Sequence, residues 1–275
     1  MKKSQISFVV FNGVQFKVKE SDKSLDFQSL FIKDLSRIYG LGDLAKLRIL
    51  DIGGTGISDI KCLDSLTNLE WLSLSGNAIS RIRGLKRLTN LKIIILDSNK
   101  IINIEKLDSL INLKELHLNF NQISQVKGLE NLTELEVLSL RNNQISKIEG
   151  LESLKKLKKL DLGFNKIGQI RGLKNLVNLE VLNLSGNQIS KVNNLQTLPK
   201  LRVLGLSRNK IDEIKNLAVF NLPNLTHLHL DRNYLRAIVG IENLKALNYC
   251  NLQQNKFSKD FIQNSRKEYP NLLQF

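Results

Sequence analysis

The sequence predicts a right-handed α/β-type solenoid, a horseshoe or arc with a parallel β-sheet on its concave face and short 3-10 or irregular turns on its convex face. Three observations carry this: a phrase that returns every 22 residues, a period-two core inside each copy, and an asparagine at one fixed place in nearly all of them. Written from Leu47 the phrase is L-x-x-L-x-L-x-x-N-x-I-x-x-I-x-x-L-x-x-L-x-x. Blocks open at Leu47, Leu69, Leu91, Leu113, Leu135, Leu157, Leu179, Leu201, Leu225 and Leu247, and the single long step, after Leu201, holds a two-residue insertion near Phe220-Asn221. Fixed spacing of this size marks stacked units, none of which can bury its apolar face alone.

In chain order, residues 7–18 alternate around Asn12-Gly13, the signal for a type I′ hairpin that would cover the first coil. Residues 1–24 are therefore read as an N-terminal β-hairpin cap, 25–246 as repeats of period 22, and 247–275 as the last repeat and a C-terminal cap. A degenerate first coil opens at Leu25, one period before Leu47, with Gln28 and Lys33 in place of the usual Leu and Asn, which makes eleven repeats in all. Inside a block the L-x-L core alternates as a strand must, so Leu72 and Leu74 point inward while Trp71, Ser73 and Ser75 point out. Position nine is Asn77, Asn99, Asn121, Asn143, Asn165, Asn187, Asn209, Asn233 or Asn255, with Thr55 the exception. A buried amide there can satisfy turn backbone in adjacent coils, which makes this a structural ladder. Position sixteen holds Gly40, Gly84, Gly128, Gly150, Gly172 and Gly240, with Asn194 and Asn216 elsewhere, residue types that tolerate positive φ. About six residues remain before the next strand, too few for a full α-helix. After Asn255 the period dissolves, and Phe261, Tyr269, Leu272, Leu273 and Phe275 are placed to close the core.

Composition narrows the class. With 42% hydrophobic and 24% charged residues among 275, the chain is neither disordered nor of low complexity. The longest apolar run, Ile93 to Leu96, is far short of the roughly 20 residues of a membrane helix. Phe8 to Phe11 is too short for a secretory core, so a cytoplasmic, intracellular protein is expected. Cys62 and Cys250 fall in distant repeats and are expected to remain thiols.

Because the framework is shared by every repeat, function must sit in the variable positions three, five, seven and eight, which face the concave side. Position three supplies Trp71, Ile93, Val137, Val181, Val203 and Tyr249, position eight Phe120 and Phe164, and the first coil Phe27, Phe31 and Ile32. Such an apolar stripe marks a protein interface, with Trp71 as an anchor. The residues expected to bind the partner are Phe31, Trp71, Ile93, Ile95, His117, Phe120, Arg141, Phe164, Arg208, His227, His229, Arg232 and Tyr249. On those four positions the cations Arg141, Lys159, Arg208 and Arg232 meet the anions Asp51, Asp97, Glu115, Asp161 and Asp231, so the face is not a basic groove. The net charge of +15 then lies outside it, in runs such as Arg81, Arg83, Lys86, Arg87 and Lys155, Lys156, Lys158. The rival reading, a nucleic-acid or anionic-surface binder working through those outer cations, predicts steep weakening with salt; the runs lack the interleaved aromatics of a single-strand binder.

Chemistry is sparse. His227, His229 and Asp231 share one strand face at a spacing that can hold a divalent metal, but adjacent coils offer Val203, Gly205 and Ser207 or Tyr249, Asn251 and Gln253, none of which completes a ligand set. No Ser-His-Asp arrangement, Cys-His pair or phosphate-cradling loop is present, so the reading is of a monomeric, non-catalytic protein that takes no cofactor, metal or small-molecule substrate.

The phrase at 145–167, ISKIEGLESLKKLKKLDLGFNKI, resembles the 22-residue class of leucine-rich repeats. Within it the Gly-Leu after the second Ile, and the end from Asn255 to Leu273 with Arg266-Lys267 and Pro270-Asn271-Leu272, are most similar to the regulatory subunit of type-one protein phosphatase. Bacterial internalins share the period but carry Pro where this chain has Gly84, Gly128 and Gly150. The resemblance implies a protein-binding scaffold or regulatory subunit acting through its concave strands. A phosphatase enters as a candidate partner, although position five here lacks the aromatics that the regulator places there.

Overall fold

The structure, a computed structural model, describes residues 8–18, 23–214 and 217–275. The first seven residues, where the N-terminal reading begins, and Asn216, expected in a left-handed turn, lie outside the described residues. The chain forms two compact units, one of residues up to Ile123 with Lys127–Leu135, the other of Ser124–Val126 with Glu136–Phe275.

The first unit opens with an antiparallel hairpin, β1 (Phe8–Phe11) and β2 (Val14–Lys17), paired Phe11 to Val14 around Asn12 and Gly13 at φ 51 and 77. Both turn residues have the positive φ that a two-residue hairpin matching strand twist requires. The hairpin is tied to the first coil by reciprocal backbone bonds between Val10 and Tyr39, and Phe16 meets Phe27 edge-on at 5.1 Å. Five parallel strands follow, each paired with the next: β3 (Ser24–Asp26), β4 (Ile49–Asp51), β5 (Trp71–Ser73), β6 (Ile93–Ile95) and β7 (Glu115–His117).

The second unit carries seven more: β8 (Val137–Ser139), β9 (Lys159–Asp161), β10 (Val181–Asn183), β11 (Val203–Gly205), β12 (His227–His229), β13 (Tyr249–Asn251) and β14 (Leu273–Gln274), again parallel and in chain order. Each unit is thus a solenoid of stacked coils with one strand per turn. The returning segments are turns and short 3-10 pieces (Leu35–Arg37, Leu41–Asp43, Leu217–Phe220, Ile241–Asn243). The one α-helix among the described residues, α1 (Lys259–Glu268), comes after the last full coil. Ser258 caps it by accepting from Phe261 N at 3.1 Å, and Phe257, Phe261 and Phe275 cluster beside it.

Every framework Leu and Ile of the full blocks is buried, each contributing roughly 1.5–3 kcal/mol of apolar transfer. The amide ladder runs through the same core. Asn77 Oδ1 accepts from Ile57 N of the preceding coil at 3.1 Å, while its Nδ2 donates to Leu74 O and Ile52 O at 3.0 and 2.9 Å. That pattern repeats in both units, for example at Asn99 and Asn209. A second amide ladder, absent from the sequence reading, runs along position twenty-two: the Nδ2 groups of Asn68, Asn90, Asn112 and Asn178 donate to Ala45, Thr67, Thr89 and Lys155 carbonyls one coil back.

The first coil corrects two expectations. Leu25 pairs with Leu50, not with the block-opening Leu47, so the strand lies three residues out of the assumed register. Phe27 then falls on the inward parity and is 1% exposed, and Ile32 is fully buried, so neither joins the exposed stripe. The three extra residues are absorbed between the strand and Ile38, where Ser29 and Lys33 both adopt positive φ, at 64 and 61.

Candidate functional site

On the exposed face of the first unit, register aligns Ile49, Trp71, Ile93 and Glu115 at position three and Asp51, Ser73, Ile95 and His117 at position five. Trp71, Ile93, Ile95 and His117 are half-buried, and His117 Nε2 lies 3.2 Å from Glu115 Oε2. Ser73, on the outward parity of its strand, is nearly covered because it is the small member of its row. Phe31 is 69% exposed, its ring under the Lys33 ammonium at 4.5 Å, and Phe120 is 53% exposed.

In the second unit the corresponding row runs Val137, Lys159, Val181, Val203, His227, Tyr249. Position five beside it is Ser139, Asp161, Asn183, Gly205, His229, Asn251. Small side chains here leave a depression of about 500 Å³, bordered by Val137, Val181 and Val203 on one side and by Asp161, Asn183, Ser185, Ser207 and His229 on the other. Asp161 Oδ1 accepts from Gly163 N and from Asn183 Nδ2, and Asn183 Oδ1 accepts from Ser185 N, so the polar lining is held in place before anything binds.

Position eight departs from the strand altogether. In every coil its residue has positive φ: Gly54, Gly76, Ser98, Phe120, Asn142, Phe164, Gly186, Arg208, Arg232 and Gln254 lie between 53 and 71. The N–H at this place donates to the position-seven carbonyl of the next coil, as from Phe164 to Ser185 O at 2.7 Å and from Arg208 to Asp231 O at 2.8 Å. Glycine meets that turn at no cost, whereas a residue with a side chain gives up roughly 1–2 kcal/mol. Four residues of the sequence-derived site, Phe120, Phe164, Arg208 and Arg232, are therefore held in left-handed backbone at the edge of the sheet. Strain of this kind concentrates at sites of function. The Phe164 ring is clamped, with the Arg141 guanidinium 4.3 Å from its centroid and Gly186 so close that a Cβ there would meet the ring at 2.9 Å.

Beside the depression, Tyr249 lies against both histidines, at 5.7 Å from His227 and 5.2 Å from His229. His227 is exposed and bonds Thr226 Oγ1, and Asp231 accepts from Ser207 Oγ. Among the described residues no group of three or more His, Cys, Asp or Glu could hold a metal ion. Burial lowers the His229 pKa from its ordinary 6.5, opposed by Asp231 and reinforced by His227. A depressed folded value means that the unfolded chain binds more protons, so this contribution to stability is complete above pH 6.5 and is lost as pH falls through the folded pKa. Thermal unfolding between pH 7.5 and 5 is expected to show the melting temperature of wild type falling relative to His229→Gln; parallel curves would remove His229 as the cause.

Cys62 and Cys250 are both free thiols, Cys250 buried with its pKa pushed up to about 12. Several cations of the basic runs are engaged across coils: Arg83 holds Asp59 through Nε and Nη2 at 2.7 and 2.8 Å, and Lys158 meets Glu136 at 2.6 Å. Glu70 is gripped by Lys92 and Arg48, and these contacts, Lys92 first, hold its carboxyl below the usual range. No helix among the described residues is long and apolar enough to cross a membrane.

A parallel one-strand-per-coil solenoid with an asparagine ladder and a 22-residue period is the architecture of leucine-rich repeats, and the family comparison agrees. The model for leucine-rich repeats in two copies matches residues 67–109, 111–152, 133–175 and 177–219, and a second leucine-rich repeat model matches 199–257. The chain belongs to the leucine-rich repeat family. It is similar to the solved structure of an internalin (inlF) from Listeria monocytogenes, with 27% identity over 93% of this chain and 87% of that one and a TM-score of 0.67. A leucine-rich repeat protein of Leptospira interrogans is 27% identical over 86% of this chain and 74% of its own, at a TM-score of 0.71. Internalin C2 of Listeria monocytogenes is 28% identical over 80% and 86%, at 0.62. No curated protein matches the sequence.

Proposed function

We propose that this protein is a non-catalytic scaffold that binds a protein partner on the exposed face and edge of its sheet. The observation that carries the reading is the placing of Phe120 and Phe164 at position eight, where the backbone favours glycine and an aromatic side chain adds strain without joining the core. Half-buried Trp71, Ile93, Val181 and Val203 extend the apolar surface within their own units, and the ordered strands avoid the ordering cost that a flexible binder incurs. The family makes protein recognition the natural use of such a face. A regulatory role toward a phosphatase is the specific candidate that the sequence resemblance adds, and a monomer in the cytoplasm, where both thiols stay reduced, completes the proposal.

The test uses Phe120→Gly and Phe164→Gly. Each removes a ring and relaxes the backbone, so each is expected to keep or raise the melting temperature. Capture of partners from nuclease-treated lysate, and of purified phosphatase catalytic subunit, is expected to fall at least tenfold. Unchanged capture by the double variant would overturn the reading.

A further inference from the structure

At the strand-leading positions, opposite charges pair across coils within each unit, Arg48 and Lys92 on Glu70 and Lys158 on Glu136. The edge at the end of the second unit breaks that habit. Arg208 and Arg232 occupy position eight of consecutive coils, both exposed, both at positive φ, each fixed by its N–H to the next coil's carbonyl at 2.8 Å. Two residues on, position ten carries Lys210, Tyr234 and Lys256, with the Lys256 ammonium 4.6 Å from the Tyr234 ring.

Paired strands are about 4.8 Å apart, so equivalent positions of neighbouring coils bring like charges within repulsive range. Among the described residues none of Arg208, Lys210 and Arg232 joins an ion pair, and Asp231, adjacent to Arg232, is engaged by Ser207 Oγ. Two costs, left-handed backbone and like-charge stacking, coincide at the same arginines with no internal relief. An external anion relieves the second.

We propose that this edge seats an acidic, extended segment of a protein partner, with carboxylates on Arg208 and Arg232 and the adjoining backbone and apolar groups entering the depression beside Val181 and Val203. The planar guanidinium fork matches a carboxylate in bidentate geometry. A polypeptide is favoured over nucleic acid by what flanks the arginines. Val137, Val181 and Val203 line the depression with apolar surface that takes aliphatic side chains, which a sugar-phosphate backbone lacks, and Asn183 and Ser185 suit amide groups. The inference rests on the strand face being the partner site and adds the partner's chemistry.

Fluorescence anisotropy tests it with three probes: a labelled twelve-residue peptide alternating Glu and Leu, the same peptide with Gln for Glu, and labelled dT12. The proteins are wild type, Arg208→Gly/Arg232→Gly and Val203→Glu, each first shown to unfold cooperatively. The expected result is binding of the Glu peptide at least tenfold tighter than of the Gln peptide or dT12, weakened at least tenfold by the arginine double variant and also by Val203→Glu. Equal binding of the Gln peptide, lost only in Val203→Glu, would overturn the acidic inference and leave the strand-face reading standing. Glu-peptide binding lost only with the arginines would sink the strand-face reading and with it the placing of the segment in the depression. Tighter binding of dT12, or no binding of any probe, would overturn the proposal outright.

Discussion

Replacing Asn187 by Ala is expected to lower the unfolding free energy by about 2–3 kcal/mol, read from urea denaturation followed by circular dichroism. The side chain is buried, and three backbone groups depend on it. Its Oδ1 accepts from Ile167 N at 2.9 Å, and its Nδ2 donates to Leu162 O and Leu184 O, both at 3.0 Å. None of the three has a backbone partner to fall back on, because a strand of three residues leaves its flanking turn outside the sheet ladder. Alanine leaves Ile167 N without a partner, at roughly 1–3 kcal/mol, while Leu162 O keeps Asn165 Nδ2 and Leu184 O keeps Asn209 Nδ2, each at 3.0 Å, so each carbonyl loses one of its two bonds. Asn187→Asp sharpens the test. It keeps the acceptor but aims a carboxylate at two carbonyl oxygens, so its deficit should shrink on acidification as the acid becomes a donor. A loss below about 1 kcal/mol for the alanine variant would mean that water replaces the amide and that the ladder is not what holds adjacent coils together.

The same ladder marks how far the fold was legible. Asn187 and its equivalents recur because the coil geometry recurs, and each framework Leu is the imprint of one buried site, so period, strand parity and core could be read directly. Local chemistry also reads well where it acts through its own backbone, as Asn12-Gly13 does in the hairpin turn. The outer amide ladder at Asn68, Asn90 and Asn112 was visible in principle, since these residues recur at the 22-residue step; it went unread because Asn in a turn has an ordinary local explanation. Two features were not written in the pattern. Leu25 satisfies the period on paper, but pairing with Leu50 buries Phe27, and only the competition between two registers decides that. The left-handed turn at position eight is occupied by Gly, Ser, Phe, Asn, Arg and Gln, which share no chemistry, because the constraint lies in the backbone bond to the next coil and not in the side chain. Strand alternation could say which residues face out together. Which of them bind is not a periodic property, and no repeat pattern encodes it.

Position sixteen supplies a second large effect, and a prediction of opposite signs at one turn. Gly172 has φ 73, and a Cβ built on it would stand 2.2 Å from Ile148 O and 3.0 Å from its carbonyl carbon. The obstacle is backbone of the preceding coil, which cannot swing aside as a side chain would. Gly172→Ala therefore incurs both the left-handed penalty of roughly 1–2 kcal/mol and an overpacking cost of about 1–3 kcal/mol, for an expected loss near 3 kcal/mol. Gly84, with the same 2.2 Å approach to Ile60 O, should behave alike. Proline is no substitute, since its ring holds φ near −65°. Cys62 and Lys106 occupy this very position in their own coils with a Cβ in place, at φ 61 and 59, lower than the 76, 75 and 73 of Gly84, Gly128 and Gly172. There the turn has already yielded to the side chain. Lys106→Gly should then recover the left-handed penalty against a chain-entropy cost of about 0.5–1 kcal/mol, for a net gain of about 0.5–1 kcal/mol. Urea midpoints that fall for Gly172→Ala and rise for Lys106→Gly would show that the backbone sets the preference at this turn. A fall in both would mean that the Lys106 side chain makes a stabilising contact greater than the strain it imposes.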